Sequence, residues 1–229
     1  MTITIHHLQR SQSERVVWLA EELGIPYEIK IYQRDRQTLL APPELKAISP
    51  AGTSPVMQDG AICMSESAAI MEYLMTKHAA GRMSVPPSAP NYTDYIFWFH
   101  WGIGTLQPTI QMLMFMRFAG VAASENPIIQ AFQARVDLAL KMLDDRLRKS
   151  TWLAGDEFTA ADIMCAFGVT TMRLFCPFSL EGYEGILGFL SRIAERPAYK
   201  ATIEKAESGE TMGVVPTLMK EAPEPLKTF

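Results

Sequence analysis

A chain of 229 residues with 48% hydrophobic side chains can bury one large core or two small ones. A formal net charge of −4 and the lack of any Lys/Arg run exclude a nucleic-acid surface. Cys63, Cys165 and Cys176 form neither a CxxC pair nor an even framework, which points to a reducing, cytoplasmic setting rather than secretion.

The segment from Met1 to Arg10 lacks the apolar run of a signal peptide, and Thr2 to His6 reads as a short strand. His6 and His7 adjoin in extended chain, point to opposite faces and cannot share a metal, so each is expected to be structural. A polar loop, Leu8 to Gln12, leads to a helical stripe of Val16, Leu19, Ala20 and Leu23 that Gly24 stops. Tyr27 to Tyr32 alternates as a half-buried strand, with Tyr27, Ile29 and Ile31 on one side. A strand, helix, strand opening predicts a parallel pair with a right-handed crossover.

Pro42 to Lys46 allows a short helix, and residues 49–52 form a turn. Residues 52–74 then read as strand, turn, strand, helix. Val56-Met57 and Ala61 to Met64 are the strands, and Asp59-Gly60 is expected to turn the hairpin with φ > 0 at both positions. The helix is predicted to start at Ser65-Glu66-Ser67 and to run through Ile70, Tyr73 and Leu74. Its first turn offers unpaired N–H groups, the Ser67 hydroxyl and the Glu66 carboxylate, which together can hold the carboxylate and ammonium of one amino-acid end. Ser54-Pro55 is a candidate cis bond that would present the Ser54 backbone to an extended, peptide-like ligand.

Residues 79–90 break every periodicity and read as a linker. Everything beyond is helical. Tyr92 to Phe118 is expected to form one long helix bent at Pro108. Its uncharged stretch between Asp94 and Arg117 is long enough to span a bilayer at ~1.5 Å per residue. His100, Gln107, Pro108 and Gln111 argue for a buried helix instead, with no membrane partner. Asn126-Pro127 starts a helix with the stripe Ile129, Phe132, Val136, Leu140, Leu143 and Leu147. Thr159 to Asp162 has capping-box spacing and opens a helix through Met172. Residues 184–195 and 197–207 form two more, and the tail after Ser208 is expected to wrap the surface or fray.

In this order the chain resembles the glutathione S-transferase family over nearly its whole length. The matching stretches are Ser11-Gln-Ser-Glu-Arg-Val-Val-Trp-Leu-Ala-Glu-Glu-Leu-Gly-Ile-Pro-Tyr-Glu, Ser49-Pro-Ala-Gly-Thr-Ser-Pro-Val, Glu66-Ser-Ala-Ala-Ile-Met-Glu-Tyr-Leu, Phe158-Thr-Ala-Ala-Asp-Ile and Glu195-Arg-Pro-Ala-Tyr. The flavour is that of the serine-type bacterial and fungal branch. The resemblance implies an α/β plus all-α fold: a thioredoxin-like glutathione-binding domain over 1–78, a linker over 79–90, and an all-helical domain with a second-substrate pocket over 91–229. It also implies glutathione as co-substrate, no metal, a small apolar electrophile as second substrate, and a homodimer. The fold also serves non-catalytic binding proteins.

Residue by residue, the resemblance makes Glu66 and Ser67 the holders of the γ-glutamyl amine and carboxylate. Ser54, before Pro55, would pair through its backbone with the cysteinyl unit. Ser11 stands where serine-type members carry the hydroxyl that contacts the glutathione sulfur. A free thiol has a pKa of ~8.5, and lowering it by about two takes ~2.7 kcal/mol, within reach of a charge-assisted hydrogen bond plus a helix N-terminus. Ser11 and Glu14 also have capping-box spacing, and Ser13 is an alternative cap or donor. Thr53 occupies the position of a frequent glycyl-binding lysine; Lys46 or the Thr53 hydroxyl would substitute. Cys63, on a strand, is expected in the core, and no cysteine lies in the 8–13 loop for disulfide exchange. His100, Thr105, Met112 and Phe115, with the loop at Gln9-Arg10, are candidates to line the second-substrate pocket, or else to form ordinary core or dimer contacts; His100 reads as a core histidine. The same thiolate could also run peroxidase, isomerase or lyase chemistry.

Overall fold

Among the described residues of the computed structural model (2–35, 37–49, 51–120, 126–207 and 218–225), two units separate. The first comprises residues 2–86 and 194–207, the second residues 87–193 and 218–225.

In the first unit the apolar alternation makes a four-stranded sheet in the order β2-β1-β3-β4, from β1 (Ile3–Leu8), β2 (Tyr27–Tyr32), β3 (Val56–Asp59) and β4 (Ile62–Ser65). β1 pairs parallel to β2, and the other pairs are antiparallel, with Ile5 opposite Ile29 on one side and Met57 on the other. The period of two puts Ile3, Ile5 and His7 on one face of β1. Leu8, on the other face, packs with Leu45, Val56, Tyr32, Ala41 and Ile48, which sets α2 (Pro43–Ile48) there. α1 (Glu14–Leu23) buries Val16, Trp18, Leu19, Ala20 and Leu23, and Gly24 ends it at φ 64° with its N–H on the Ala20 and Glu21 carbonyls. α9 (Pro197–Ala206) packs on α1: the rings of Trp18 and Tyr199 lie 4.7 Å apart. The Arg196 guanidinium forks onto the Glu22 carboxylate at 2.6 and 2.7 Å. α3 (Ser67–Tyr73) follows β4 and passes into a wider π-helical turn over Leu74–His78.

The second unit is helical: α4 (Tyr92–Trp101), α5 (Gln107–Phe118), α6 (Pro127–Leu147), α7 (Ala160–Val169) and α8 (Glu184–Glu195), with a short 3-10 turn at Thr171–Leu174. The thioredoxin-like plus all-helical architecture is therefore the one expected. Asn126 caps α6 by accepting from the Ile128 N–H at 2.9 Å, and the Thr159–Asp162 capping box opens α7. The absence of a side chain at Gly168 lets α7 approach Leu106: a Cβ there would sit 2.6 Å from that leucine's Cδ2. No helix among the described residues is long and apolar enough to cross a membrane.

Several local expectations are corrected. The hairpin turn lies one residue later, because Asp59 still pairs with Ile62 and only Gly60 (φ 59°) needs the left-handed region. Ser65 ends β4, so the helix begins at Ser67. The 92–118 helix departs from α geometry at Gly102–Leu106, ahead of Pro108; the wide turn there accommodates the missing N–H and the ring of Pro108. α7 stops at Val169 rather than Met172. Ile31 is exposed, because β2 is an edge strand. Cys63 is also exposed, since the β4 edge leaves Ile62 and Cys63 uncovered. His100 is exposed rather than core. Pro50 of the turn at residues 49–52, and residues 209–217 and 226–229 of the tail beyond Ser208, lie outside the described residues. Of that tail, Lys220 accepts the Leu180 N–H at 2.7 Å, and the Arg173 guanidinium donates to the Met219 carbonyl at 2.8 Å.

Candidate active site

The end of β1 and the start of α1 are joined by a loop that turns at Arg10, whose φ of 55° is unusual for a side-chain-bearing residue. The Arg34 guanidinium fixes this loop by donating to the carbonyls of Gln9 (3.2 Å), Arg10 (2.9 Å) and Leu39 (2.8 Å). Burial brings the Arg34 pKa down to about 10, opposed by the nearby Glu207 carboxylate. The loop delivers two buried hydroxyls: Ser11 Oγ lies 2.7 Å from Ser13 Oγ and 3.2 Å from Ser54 Oγ. The Leu8 N–H donates to both Ser13 Oγ (3.2 Å) and Ser54 Oγ (3.4 Å), tying the strand end to the residue before Pro55. Ser13 stands at the N-cap of α1 without a side-chain cap bond, whereas the Ser11 hydroxyl accepts the Ser13 N–H at 3.3 Å just ahead of the helix.

The Ser54-Pro55 bond is cis. Upstream, the buried Ser49 hydroxyl donates to the Thr53 carbonyl at 2.7 Å and accepts the Thr53 N–H at 2.9 Å, fixing the backbone while Thr53 itself stays exposed. Lys46 is exposed on α2. β3 and β4 carry the chain to Glu66, which is exposed and held at φ 74°, the strained backbone often found at functional positions. Beside it the Ser67 hydroxyl is buried with no hydrogen-bond partner. Ser11 thus touches both Ser13 and Ser54, whereas Glu66 and Ser67 stand together at the head of α3.

The sequence reading missed what lies behind the serines. Ser13 Oγ is 2.9 Å from His7 Nδ1, and His7 Nε2 is 3.1 Å from Glu207 Oε1 at the end of α9. No local pattern signals this, because Glu207 is 200 positions from His7. His6, on the other face of β1, bonds Tyr32 (2.9 Å) and Gln58 (3.0 Å), and burial lowers its pKa.

In the second unit, His100, Thr105, Met112 and Phe115 are all exposed, spread over α4, the wide turn and α5. A groove of about 250 Å³ elsewhere in that unit is lined by Arg117, Gln133 and Asp137, which bond in sequence (Arg117 to Gln133 at 3.1 Å, Gln133 to Asp137 at 2.9 Å). Among the described residues no group of three or more His, Cys, Asp or Glu could hold a metal ion.

Residues 10–77 match the family model for the glutathione S-transferase N-terminal domain, and residues 106–197 match that for the C-terminal domain. A curated relative, glutathione S-transferase 3 of Schizosaccharomyces pombe, is 32% identical over 217 residues, covering 90% of this chain and 88% of its own. The chain belongs to the glutathione S-transferase family. Among solved structures, a glutathione S-transferase from Actinobacillus pleuropneumoniae superposes with a TM-score of 0.81 at 30% identity, over 91% of this chain and 94% of its own. A Phanerochaete chrysosporium glutathione transferase crystallised with oxidized glutathione shares the fold, with a TM-score of 0.71 at 19% identity over 89% and 94% of the two chains. In this glutathione S-transferase the hydroxyl cluster and the head of α3 both fall within the N-terminal match.

Proposed function

We propose that the protein raises the thiolate fraction of bound glutathione and directs the sulfur at a small apolar electrophile, with Ser11 donating to the sulfur. The observation that carries this reading is the buried Ser11 hydroxyl, 3.2 Å from that of Ser54, the residue that would pair with the cysteinyl unit. Glu66 offers a carboxylate to the γ-glutamyl ammonium, and Ser67 offers its unpartnered hydroxyl and the N–H groups of α3 to the carboxylate. Ser13 is the alternative donor beside Ser11, and Lys46 or the Thr53 hydroxyl serves the glycyl end. The exposed Met112 and Phe115 side chains, with His100 and Thr105, receive the electrophile. In the transfer the thiolate sulfur forms a bond to the electrophilic carbon while that carbon's bond to its leaving group breaks. The group departs with the electron pair (as halide from an aryl halide), the thiol proton having left beforehand. The same reading assigns the glutathione-binding part to residues 1–78, and takes the protein as a cytoplasmic homodimer that uses no metal.

The test is a titration of the bound thiol by its thiolate absorbance. Ser11→Ala removes the donated hydrogen bond but not the helix terminus, and should raise the thiol pKa by about one to two, the worth of one hydrogen bond to a charged group. A curve superimposed on that of the wild type refutes the role of Ser11. Turnover on an aryl halide well above turnover on an organic hydroperoxide marks conjugation as the reaction, and the reverse marks a peroxidase.

A further inference from the structure

Four buried polar side chains stand in line in the first unit. Ser11, Ser13, His7 and Glu207 are linked at 2.7, 2.9 and 3.1 Å, and their exposures are 7, 0, 0 and 5%. Glu207 Oε1 also accepts the Arg10 N–H at 2.9 Å, while its Oε2 has no hydrogen-bond partner. The carboxylate therefore stands at hydrogen-bond distance from the imidazole and keeps one oxygen unused. Each hydroxyl in the line has one proton to give and lone pairs to receive another, so the line can point either way.

With His7 neutral and its Nε2–H on Glu207, bare Nδ1 accepts from Ser13, and Ser13 accepts from Ser11. Ser11 Oγ, which also accepts the Ser13 N–H at 3.3 Å, gives up its proton to Ser13 rather than to Ser54 and keeps one lone pair to accept from a thiol S–H. Shifting one proton at each link breaks the S–H bond, returns both hydroxyls to neutral and forms Nδ1–H on His7. Afterwards every donor points outward, from imidazolium through Ser13 and Ser11 to the thiolate, and the new positive charge sits beside the Glu207 carboxylate. No other reactant is needed.

We propose that His7, backed by Glu207, takes up the glutathione thiol proton through Ser13 and Ser11. This rests on the reading of Ser11 as the residue that meets the sulfur. His7 and Glu207 touch no substrate atom; they are positioning residues that act through the two serines. The charged and titratable groups around the pair are Arg10 in the loop, Arg34 after β2, Glu14 at the start of α1 and Tyr199 on α9. Burial keeps the Tyr199 phenol neutral, and the two arginines add positive potential near Glu207.

The experiment compares full-length wild type, Glu207→Gln, His7→Asn and Ser11→Ala by thiolate absorbance of bound glutathione against pH and by the Kd for S-methylglutathione, which has no thiol proton. The Gln keeps an acceptor for His7 Nε2–H without the charge, and the Asn keeps a partner for Ser13 but cannot take up a proton. Each should raise the bound thiol's apparent pKa by about one, a tenfold loss of thiolate below it, with S-methylglutathione affinity kept within about twofold. Should both titrate like wild type while Ser11→Ala is raised, the relay is refuted and the serine reading stands. Should Ser11→Ala also titrate like wild type, the serine reading has failed and the relay with it. Weakened S-methylglutathione binding at an unchanged thiol pKa makes the line a latch between α9 and β1, which overturns the inference. Glu207→Gln decides alone if His7→Asn does not fold.

Discussion

A buried hydroxyl with no hydrogen-bond partner costs a folded protein about 1–3 kcal/mol, and Ser67 is such a group, at 2% exposure. Replacing it with Ala removes that cost, so Ser67→Ala should leave the unfolding free energy of the free protein equal or slightly higher. Glutathione affinity should fall about tenfold, the worth of one hydrogen bond to a charged group. Parallel urea unfolding and calorimetric titration check the two effects, and a loss of stability with unchanged affinity contradicts the assignment. The position of Glu66 and Ser67 at a strand-to-helix junction was legible in the sequence because the two are chain neighbours. The partners of Ser13 were not: the imidazole comes from the preceding strand, and the carboxylate from a helix 200 positions away. Periodicity had already explained His7 as an inward-facing strand residue. Burial of Cys63 was misread for a related reason, since an apolar run does not reveal that its strand lies at the sheet edge.

At the scale of elements, α7 depends on its capping box. Asp162 is fully buried and accepts from the N–H groups of Leu153 and Thr159, both at 2.8 Å, and from the Thr159 hydroxyl at 3.1 Å. Burial outweighs these bonds and pushes its pKa from 3.8 up to about 6. The folded chain therefore holds this proton more tightly than the unfolded chain. The stabilisation from that proton is whole below about pH 4 and is lost as pH rises through about 6, at about 3 kcal/mol by pH 7. Asp162→Asn has no such proton and loses an acceptor at the cap. Urea midpoints at pH 4.5 and 7 should show a large deficit for the variant at the lower pH that shrinks at the higher one; a constant gap contradicts the shift. The Thr159 and Asn126 caps were readable because capping is local chemistry over three or four residues. Pro108 was readable as a disturbance, but not its site: a proline's clash falls on the preceding turn, where Gly102–Leu106 widens.

The molecule is not assembled in chain order, because α9 returns to the first unit and covers α1. Trp18 is buried against Tyr199, and Glu22 and Glu21 are paired by Arg196 and Lys205. A fragment of residues 1–86 would expose that face of α1 and leave His7 without its carboxylate. Its circular dichroism and hydrogen exchange should therefore show a loosely packed chain with little protection in α1, whereas cooperative unfolding of the fragment contradicts the role given to α9. Where the sulfur of glutathione comes to rest can be seen in a crystal structure of the protein with that tripeptide. The sulfur should lie within about 3.5 Å of Ser11 Oγ, with the γ-glutamyl end on Glu66 and Ser67. A sulfur lying against any other side chain, with Ser11 still bonded only to Ser13 and Ser54, contradicts it.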